Sequence, residues 1–586
     1  MCGIIGYIGG GDAAKVVYGG LKRLEYRGYD SAGAAFICNK RLFIAKKQGK
    51  VEKLSPLLQG VSSNIGIGHT RWATHGAPSD INAHPHSAGG IAIVHNGIIE
   101  NYAELKDGLL SEGVIFKSDT DSEVIAHLLA RAYKGDLTGA LAQVVGLLKG
   151  SYAIMAICQN EHIISLACNK SPLVIGRGDD GYYCASDEPA LAGYCTDVTV
   201  LQDGDVAELK SDEACVFNRE MQLVIRETVP NLAVCSELGL DGYPHYMLKE
   251  IGEIPSAVAQ TVKVFGSVKR KIAETLDGAS RIILTGCGTA YHAAMLGKIY
   301  FENLLGVPCE AETAGELRYK KNVVGESVVA FAISQSGETA DTVEAARLLK
   351  LLGAKVVAVT NSLHSQLTRV ADAVVPVAAG PEICVAATKS YSGQVAALYL
   401  CALAAAGAEG DGGLSELPEI IESTLERTDT RSLAQVCARS RGVYFLGRGI
   451  DYAVAVEGSL KLKEVSYVPG EGYPSGELKH GTLALIDGKT TSVFIICDEE
   501  LAEKSVVAAE QVLARGGKVA VISSVDSVRG KLEDRAEYFC GLGKVGKFLS
   551  PLLSSAVLFR LAYDAAVALG RDPAKPRNLA KSVTVE

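Results

Sequence analysis

Short apolar runs set the texture of the first part of the chain. Ile65 to His69, Ile91 to Val94, Tyr152 to Cys158, His162 to Ala167 and Val206 to Leu209 are each bounded by glycine, asparagine or other turn formers. Runs of that length predict buried strands. Helical stretches lie between them, for example Thr120 to Tyr133. This mixture predicts a layered α/β domain with sheets at its centre over residues 1–235.

The pattern lapses over 236–247, where Gly239, Asp241-Gly242 and Pro244 predict a hinge. Beyond it the texture changes. Arg281 to Gly286 reads as a strand entering a glycine-rich turn, with a helix from Ala290 onward. Val328 to Ile333 and Ala354 to Thr360 read as further strands, each followed by a helix. Strands alternating with helices predict a parallel, doubly wound sheet. The unit recurs: Gly442 to Gly449 echoes residues 281–288, Ser492 to Cys497 echoes Val328 to Ile333, and Gly517 to Ile522 echoes Ala354 to Thr360. Two copies are expected, at 248–430 and 431–571, followed by a tail at 572–586. The apolar run Val395 to Ala406 is short of a membrane span and predicts a buried helix.

Composition adds bounds. A chain of 586 residues suggests roughly three or four domains. The net charge of −9 argues against nucleic acid or an anionic membrane as the main partner. Fifteen cysteines with no Cys-x-x-Cys and no secretory leader predict reduced thiols in a cytoplasmic protein. No carboxylate or cysteine stands at ligand spacing around His84-Pro85-His86, which favours a loop-ordering role over a metal site.

Several segments carry candidate chemistry. If Met1 is removed, Cys2 has a thiol and a free α-amine, and such an amine titrates at about 7.7–8.0. One residue would then supply nucleophile and base. The competing reading is a small buried cysteine at the start of a strand. An amidase acting on an amino acid also needs a cation for the substrate carboxylate, which Arg71 could give bidentately. Asp121 could hold the ammonium, and the Asn96 side chain with the Gly97 N–H could receive the oxyanion. Each has a structural reading as well. Ser334-Gln335-Ser336-Gly337-Glu338-Thr339 gathers hydroxyls and amides where a strand enters a helix, which suits an anion or plain N-capping. No Gly-Lys-Ser/Thr follows, so the anion expected is a small phosphorylated metabolite. Lys461-Leu462-Lys463-Glu464 reads by itself as a solvated mixed-charge face. His480 lies one residue before Gly481 and suits a proton carrier. The tail 576–586 reads by default as frayed, yet Leu579, Val583 and Val585 favour docking, and a docked Lys581 could attack a carbonyl.

Taken together, the Tyr26 to Gly33 run, Arg71-Trp72-Ala73-Thr74-His75-Gly76, Ser334 to Thr339 and Lys581-Ser582-Val583-Thr584-Val585-Glu586 resemble the glutamine–fructose-6-phosphate aminotransferase family along essentially the whole chain. The resemblance implies an N-terminal-nucleophile glutaminase joined to two sugar-isomerase (SIS) domains in a homodimer, with glutamine and fructose 6-phosphate as substrates and no cofactor. It gives Cys2 the attack on the amide, Asn96 and Gly97 the oxyanion, and Arg71, His75 and Asp121 the substrate. It makes Trp72 the gate of an ammonia channel. It gives Lys581 a Schiff base with the sugar ketone, Glu464 the proton transfer between C1 and C2, and Lys461 a supporting place. It gives His480 ring opening in the neighbouring subunit's site, and Ser334, Gln335, Ser336 and Thr339 the phosphate and sugar. Thr289 and Val385 join the substrate-binding set. Ala290 stands where many relatives carry Ser, and Cys384 to Thr388 departs from the more usual Gly-Val-Ala-Ser-Thr. A purine-pathway glutaminase is disfavoured, because no acidic pair precedes a phosphate loop. A sugar-phosphate sensor is the remaining alternative, although it would not need Cys2, Glu464, His480 and Lys581 together.

Overall fold

A computed structural model of the chain describes residues 2–73, 75–231, 239–321 and 323–583. Met1, Thr74, the first part of the expected hinge and Val585 lie outside the described residues. The chain forms two compact units, residues 1–239 with 580–586 and residues 240–579.

Among the described residues, the first unit holds an eight-stranded and a six-stranded sheet, with every pairing antiparallel. Gly3–Gly9 runs inside the larger sheet between Gly181–Ala185 and Ile65–Arg71. Its side chains alternate between faces. Ile4 and Ile8 enter a core shared with Val94, Met155 and Leu166 of the second sheet. Ile5 and Tyr7 pack toward Val17 and Leu21 of the helix Ala13–Leu24. The opposite outer face is closed by Glu123–Ala132 and Leu137–Val145, which pack on Ile91, Ile93 and Ile154. The result is the layered α/β arrangement expected. The helix predicted from Thr120 starts at Glu123, whose carboxylate accepts the N–H groups of Lys117 and Ser118 and holds the preceding turn.

The second unit holds two five-stranded parallel sheets of one topology. In the first, the order is Cys309–Thr313, Arg281–Gly286, Val328–Ile333, Lys355–Thr360, Ala373–Pro376. In the second it is Gly470–Pro474, Gly442–Gly447, Thr490–Ile496, Lys518–Ser523, Tyr538–Gly541. The strand order reverses at Arg281–Gly286 and again at Gly442–Gly447, so each module has a switch point of the kind where open α/β sheets bind ligands. The modules share a core in which Tyr300, Tyr391, Ala453 and Phe559 meet from the helices Thr289–Leu305, Lys389–Ala405, Ile450–Ser466 and Ser550–Ala568. Lys389–Ala405 is buried along nearly its whole length, as its apolar run predicts. Ser550–Ala568 is also long and apolar enough to cross a membrane, but 83% of its apolar window is buried within the fold, which makes it a core helix.

Candidate active sites

Sheet register places the glutaminase residues. Gly3 pairs with Thr70 and Ile4 with His69, so Cys2 sits opposite the exit of the strand that delivers Arg71 and Trp72. The Cys2 Sγ accepts the Trp72 N–H at 3.3 Å and lies 3.5 Å from the Trp72 carbonyl oxygen. Burial pushes the thiol up, while the Trp72 amide and Arg71 draw it down in part. The thiol therefore depends on a nearby base.

Asn96 and Gly97 come from the neighbouring sheet, on the strand Ile91–Ile99. Asn96 Nδ2 donates to the Cys2 carbonyl at 3.1 Å, which ties this strand to the nucleophile. Gly97 has φ 127°, and a Cβ there would lie 2.0 Å from the Ser151 carbonyl oxygen. Only glycine fits. Arg71 is buried, and its Nη2 is used up on the carbonyls of His75 and Gly76. Among the described residues, its buried Nη1 has no acceptor. A buried donor of that kind suits a substrate carboxylate. Asp121, also buried, accepts the Ile99 N–H at 2.9 Å and the Ser122 hydroxyl at 3.2 Å. Trp72 meets the Tyr29 ring edge-on at 5.6 Å, and His75 meets Tyr102 at 5.3 Å. The structure thus gathers Cys2, Arg71, Trp72 and Asn96 around one point and anchors Asp121 to the end of the Asn96 strand.

His84, read as loop-ordering, stacks on His69 at 4.0 Å, and both are buried. Among the described residues, no three His, Cys, Asp or Glu side chains are arranged to hold a metal.

In the second unit, Ser334-Gln335-Ser336-Gly337-Glu338-Thr339 follows Val328–Ile333 at the first switch point. Gly337 has φ 64°, and a Cβ would fall 1.9 Å from Ser365 Oγ, so the turn requires glycine. Glu338 is turned away and accepts the backbone and side-chain N–H groups of Gln366, both at 2.9 Å. That bond fixes the outer side of the turn. Thr339 occupies the N-cap of Ala340–Leu351 but its side chain makes no capping bond. Its hydroxyl lies 2.9 Å from that of Ser334. The Ser334 and Ser336 hydroxyls accept the Gly337 and Glu338 N–H groups at 3.1 and 3.2 Å, so the turn's own hydroxyls do part of the capping at this helix start. The second module fills its equivalent turn differently. There Asp451 Oδ2 accepts the N–H groups of Cys497 and Asp498 at 2.8 and 3.1 Å. A carboxylate from the protein itself covers the amides a phosphate would need.

The mixed-charge reading of Lys461-Leu462-Lys463-Glu464 is corrected. Lys463 is exposed, whereas Lys461 is 1% exposed. Lys461 Nζ donates to Glu464 Oε2 at 2.5 Å and faces Glu457 Oε1 at 3.5 Å. Burial pushes this lysine down, but Glu464 and Glu457 outweigh it and leave it raised. Glu457 itself is fully buried, pairs with His292 Nδ1 at 2.6 Å and accepts the Thr289 hydroxyl at 3.2 Å. Glu457 and His292 were not singled out from the sequence. The available signal was spacing, because positions 457, 461 and 464 share one helical face. Thr289 and His292 lie in the first turn after Gly288, so this cluster joins the first switch point to the helix Ile450–Ser466.

Val385 is buried and donates its N–H to the Ala574 carbonyl at 3.1 Å, which docks the start of the tail. His480 is exposed at the end of the turn Glu477–His480. Lys581 is half-buried and falls in the first unit, so its partnership with Glu464 rests on the family resemblance.

Comparison with known proteins agrees with both units. The sequence matches the glutamine amidotransferase domain family over 69–193 and the SIS domain family over 275–404 and 437–567. A glutamine–fructose-6-phosphate aminotransferase (isomerizing) from Aquifex aeolicus (strain VF5) is 43% identical over 598 residues. Those from Caldanaerobacter subterraneus subsp. tengcongensis and Thermococcus kodakarensis are each 42% identical, and all three matches cover 100% of both chains. The structure resembles the C-terminal domain of glucosamine-fructose-6-phosphate aminotransferase from Francisella tularensis, with TM-score 0.54 and 34% identity over 58% of this chain and 99% of that one. The fold is also shared with tagatose-6-phosphate ketose/aldose isomerase from Escherichia coli, at TM-score 0.50 and 15% identity over 57% of this chain and 96% of that one. Because the likeness runs the full length of both chains, this chain belongs to the family of glutamine–fructose-6-phosphate aminotransferases (isomerizing).

Proposed function

We propose that the chain converts glutamine and fructose 6-phosphate to glutamate and glucosamine 6-phosphate. Once Met1 is removed, the Cys2 thiol attacks the glutamine amide carbon as its own freed α-amine takes the thiol proton, which then passes to the leaving ammonia. Water then cleaves the thioester to release glutamate. Asn96 and Gly97 bear the developing oxyanion, and Arg71, His75 and Asp121 hold the two ends of the substrate. Ammonia moves past Trp72 to the sugar site without entering bulk water.

There Ser334, Gln335, Ser336 and Thr339 hold the phosphate, with Thr289 and Val385 against the sugar. Lys581 condenses with the C2 ketone and loses water. Ammonia displaces the lysine. Glu464 then takes a proton from C1 of the resulting imine and returns it to C2, while the C1 hydroxyl gives up its proton and the nitrogen takes one up, which leaves the amine on C2 and an aldehyde at C1. His480 serves ring opening in the neighbouring subunit of a homodimer. The observation that carries this reading is the buried Glu457–Lys461–Glu464 row, because a carboxylate held in place by a buried ammonium is the kind of group that proton transfer between C1 and C2 needs. The full-length relatives are named as enzymes, which sets aside the sugar-phosphate sensor.

Cys2→Ala tests the two-site scheme. It should abolish synthesis from glutamine and spare synthesis from free ammonia. Equal loss of both would contradict it.

A further inference from the structure

The helix that carries Lys461 and Glu464 ends in an unusual way. Its C-cap, Tyr467, has φ 63° and ψ 14°, a left-handed conformation in which helices ordinarily use glycine. A bulky side chain in that region is an outlier, and such strain persists where the surroundings use it. Here the ring is used. The Arg577 guanidinium lies 4.5 Å and that of Arg571 5.2 Å from its centroid. The Arg577 N–H donates to the Tyr467 hydroxyl at 2.7 Å. Upstream, the tail is fastened a second time, by Val385 N–H on the Ala574 carbonyl and by Cys384 Sγ, 3.4 Å from the Pro573 carbonyl. Pro573, Ala574 and Pro576 are buried between these fastenings.

We propose that Tyr467 is a positioning residue that seats the C-terminal segment and so sets where Lys581, four residues beyond Arg577, can reach. Four residues span at most about 14 Å, so an anchor at Arg577 confines the lysine closely. The same rigid helix end then fixes both the base, Glu464, and the tether of the Schiff-base lysine. A glycine at 467 would make the helix end cheaper and lose the tether, which explains an aromatic residue in a glycine's place. The proposal rests on the assignment of Lys581 to the Schiff base.

Tyr467→Gly and Tyr467→Phe in the full chain separate the two ideas. Tyr467→Gly should keep or raise the melting temperature and keep glutamine hydrolysis without sugar. It should speed tryptic release of the peptide after Arg577, and it should lower borohydride trapping of fructose 6-phosphate on Lys581 by roughly ten- to a hundredfold, the cost of a misplaced group. Tyr467→Phe keeps the ring for both arginines and should stay within about tenfold of the parent in trapping. Unchanged tryptic release and unchanged trapping in Tyr467→Gly would overturn the proposal. If the parent itself labels a lysine other than Lys581, the Schiff-base assignment fails, and tryptic release alone still decides whether Tyr467 seats the tail.

Discussion

Lys461 and Glu464 form a buried ion pair at 2.5 Å, and the lysine's other side is met by Glu457 at 3.5 Å. One ammonium thus bridges two carboxylates on one helical face. Without it, the two carboxylates would have no counter-ion between them. Glu464 would then lose the partner that holds its carboxylate in place.

Lys461→Met should therefore lower synthesis at neutral pH by a hundredfold or more while leaving glutamine hydrolysis intact, since general-base catalysis is worth roughly 10²–10⁴. Unchanged synthesis in Lys461→Met would contradict the role given to this row.

Arg71 presents a buried Nη1 with no acceptor among the described residues. Arg71→Lys keeps charge but loses the planar fork. It should raise the KM for glutamine by roughly ten- to a hundredfold, consistent with about 1.5–3 kcal/mol for a hydrogen bond to a charged group. Synthesis from ammonia should be unaffected. Steady-state kinetics with each nitrogen donor decides this.

Gly337 is required by its turn. Gly337→Ala places a methyl on Ser365 and forces a left-handed alanine, which costs about 1–2 kcal/mol for the conformation alone. The KM for fructose 6-phosphate should rise with the loss of turn geometry, and the melting temperature should fall. A variant with the parent's KM would show that this turn does not hold the sugar phosphate.

The first unit should be acid-sensitive in a window set by its histidines. Burial pushes His69 and His84 well below the ordinary value, and burial together with Lys46 pushes His86 down to about 3. These rings stay neutral in the fold, while the unfolded chain takes up protons as pH falls through about 6.5. Stability should thus be level above that value and drop as pH falls below it, by up to about 1.4 kcal/mol per pH unit for each ring. The chain's one tryptophan, Trp72, lies in this unit, so its fluorescence in denaturant reports on it. Equal midpoints at pH 7.5 and 5.5 would contradict the prediction.

Much of this was legible beforehand. Arg281–Gly286, Val328–Ile333 and Val206–Leu209 are strands as read, because apolar runs closed by turn formers leave little else to form. The duplication was legible for the same reason. What escaped the sequence was burial within helices covered on nearly every side. Ile450–Ser466 is such a helix, so nothing in Lys461-Leu462-Lys463 distinguishes the buried lysine from the solvent-facing one until Glu457 is placed beside it. Tyr467 escaped because no glycine marks that helix end. Asp451 escaped because its partners, the amides of Cys497 and Asp498, are distant in sequence and carry no residue signature.

The central claim is that one chain releases ammonia at Cys2 and commits it to the sugar. The direct measurement is a single assay of the purified protein with glutamine and fructose 6-phosphate, following glutamate and glucosamine 6-phosphate together. The account predicts that both products accumulate in equal amounts, with little free ammonia. Glutamate and ammonia without glucosamine 6-phosphate would contradict it.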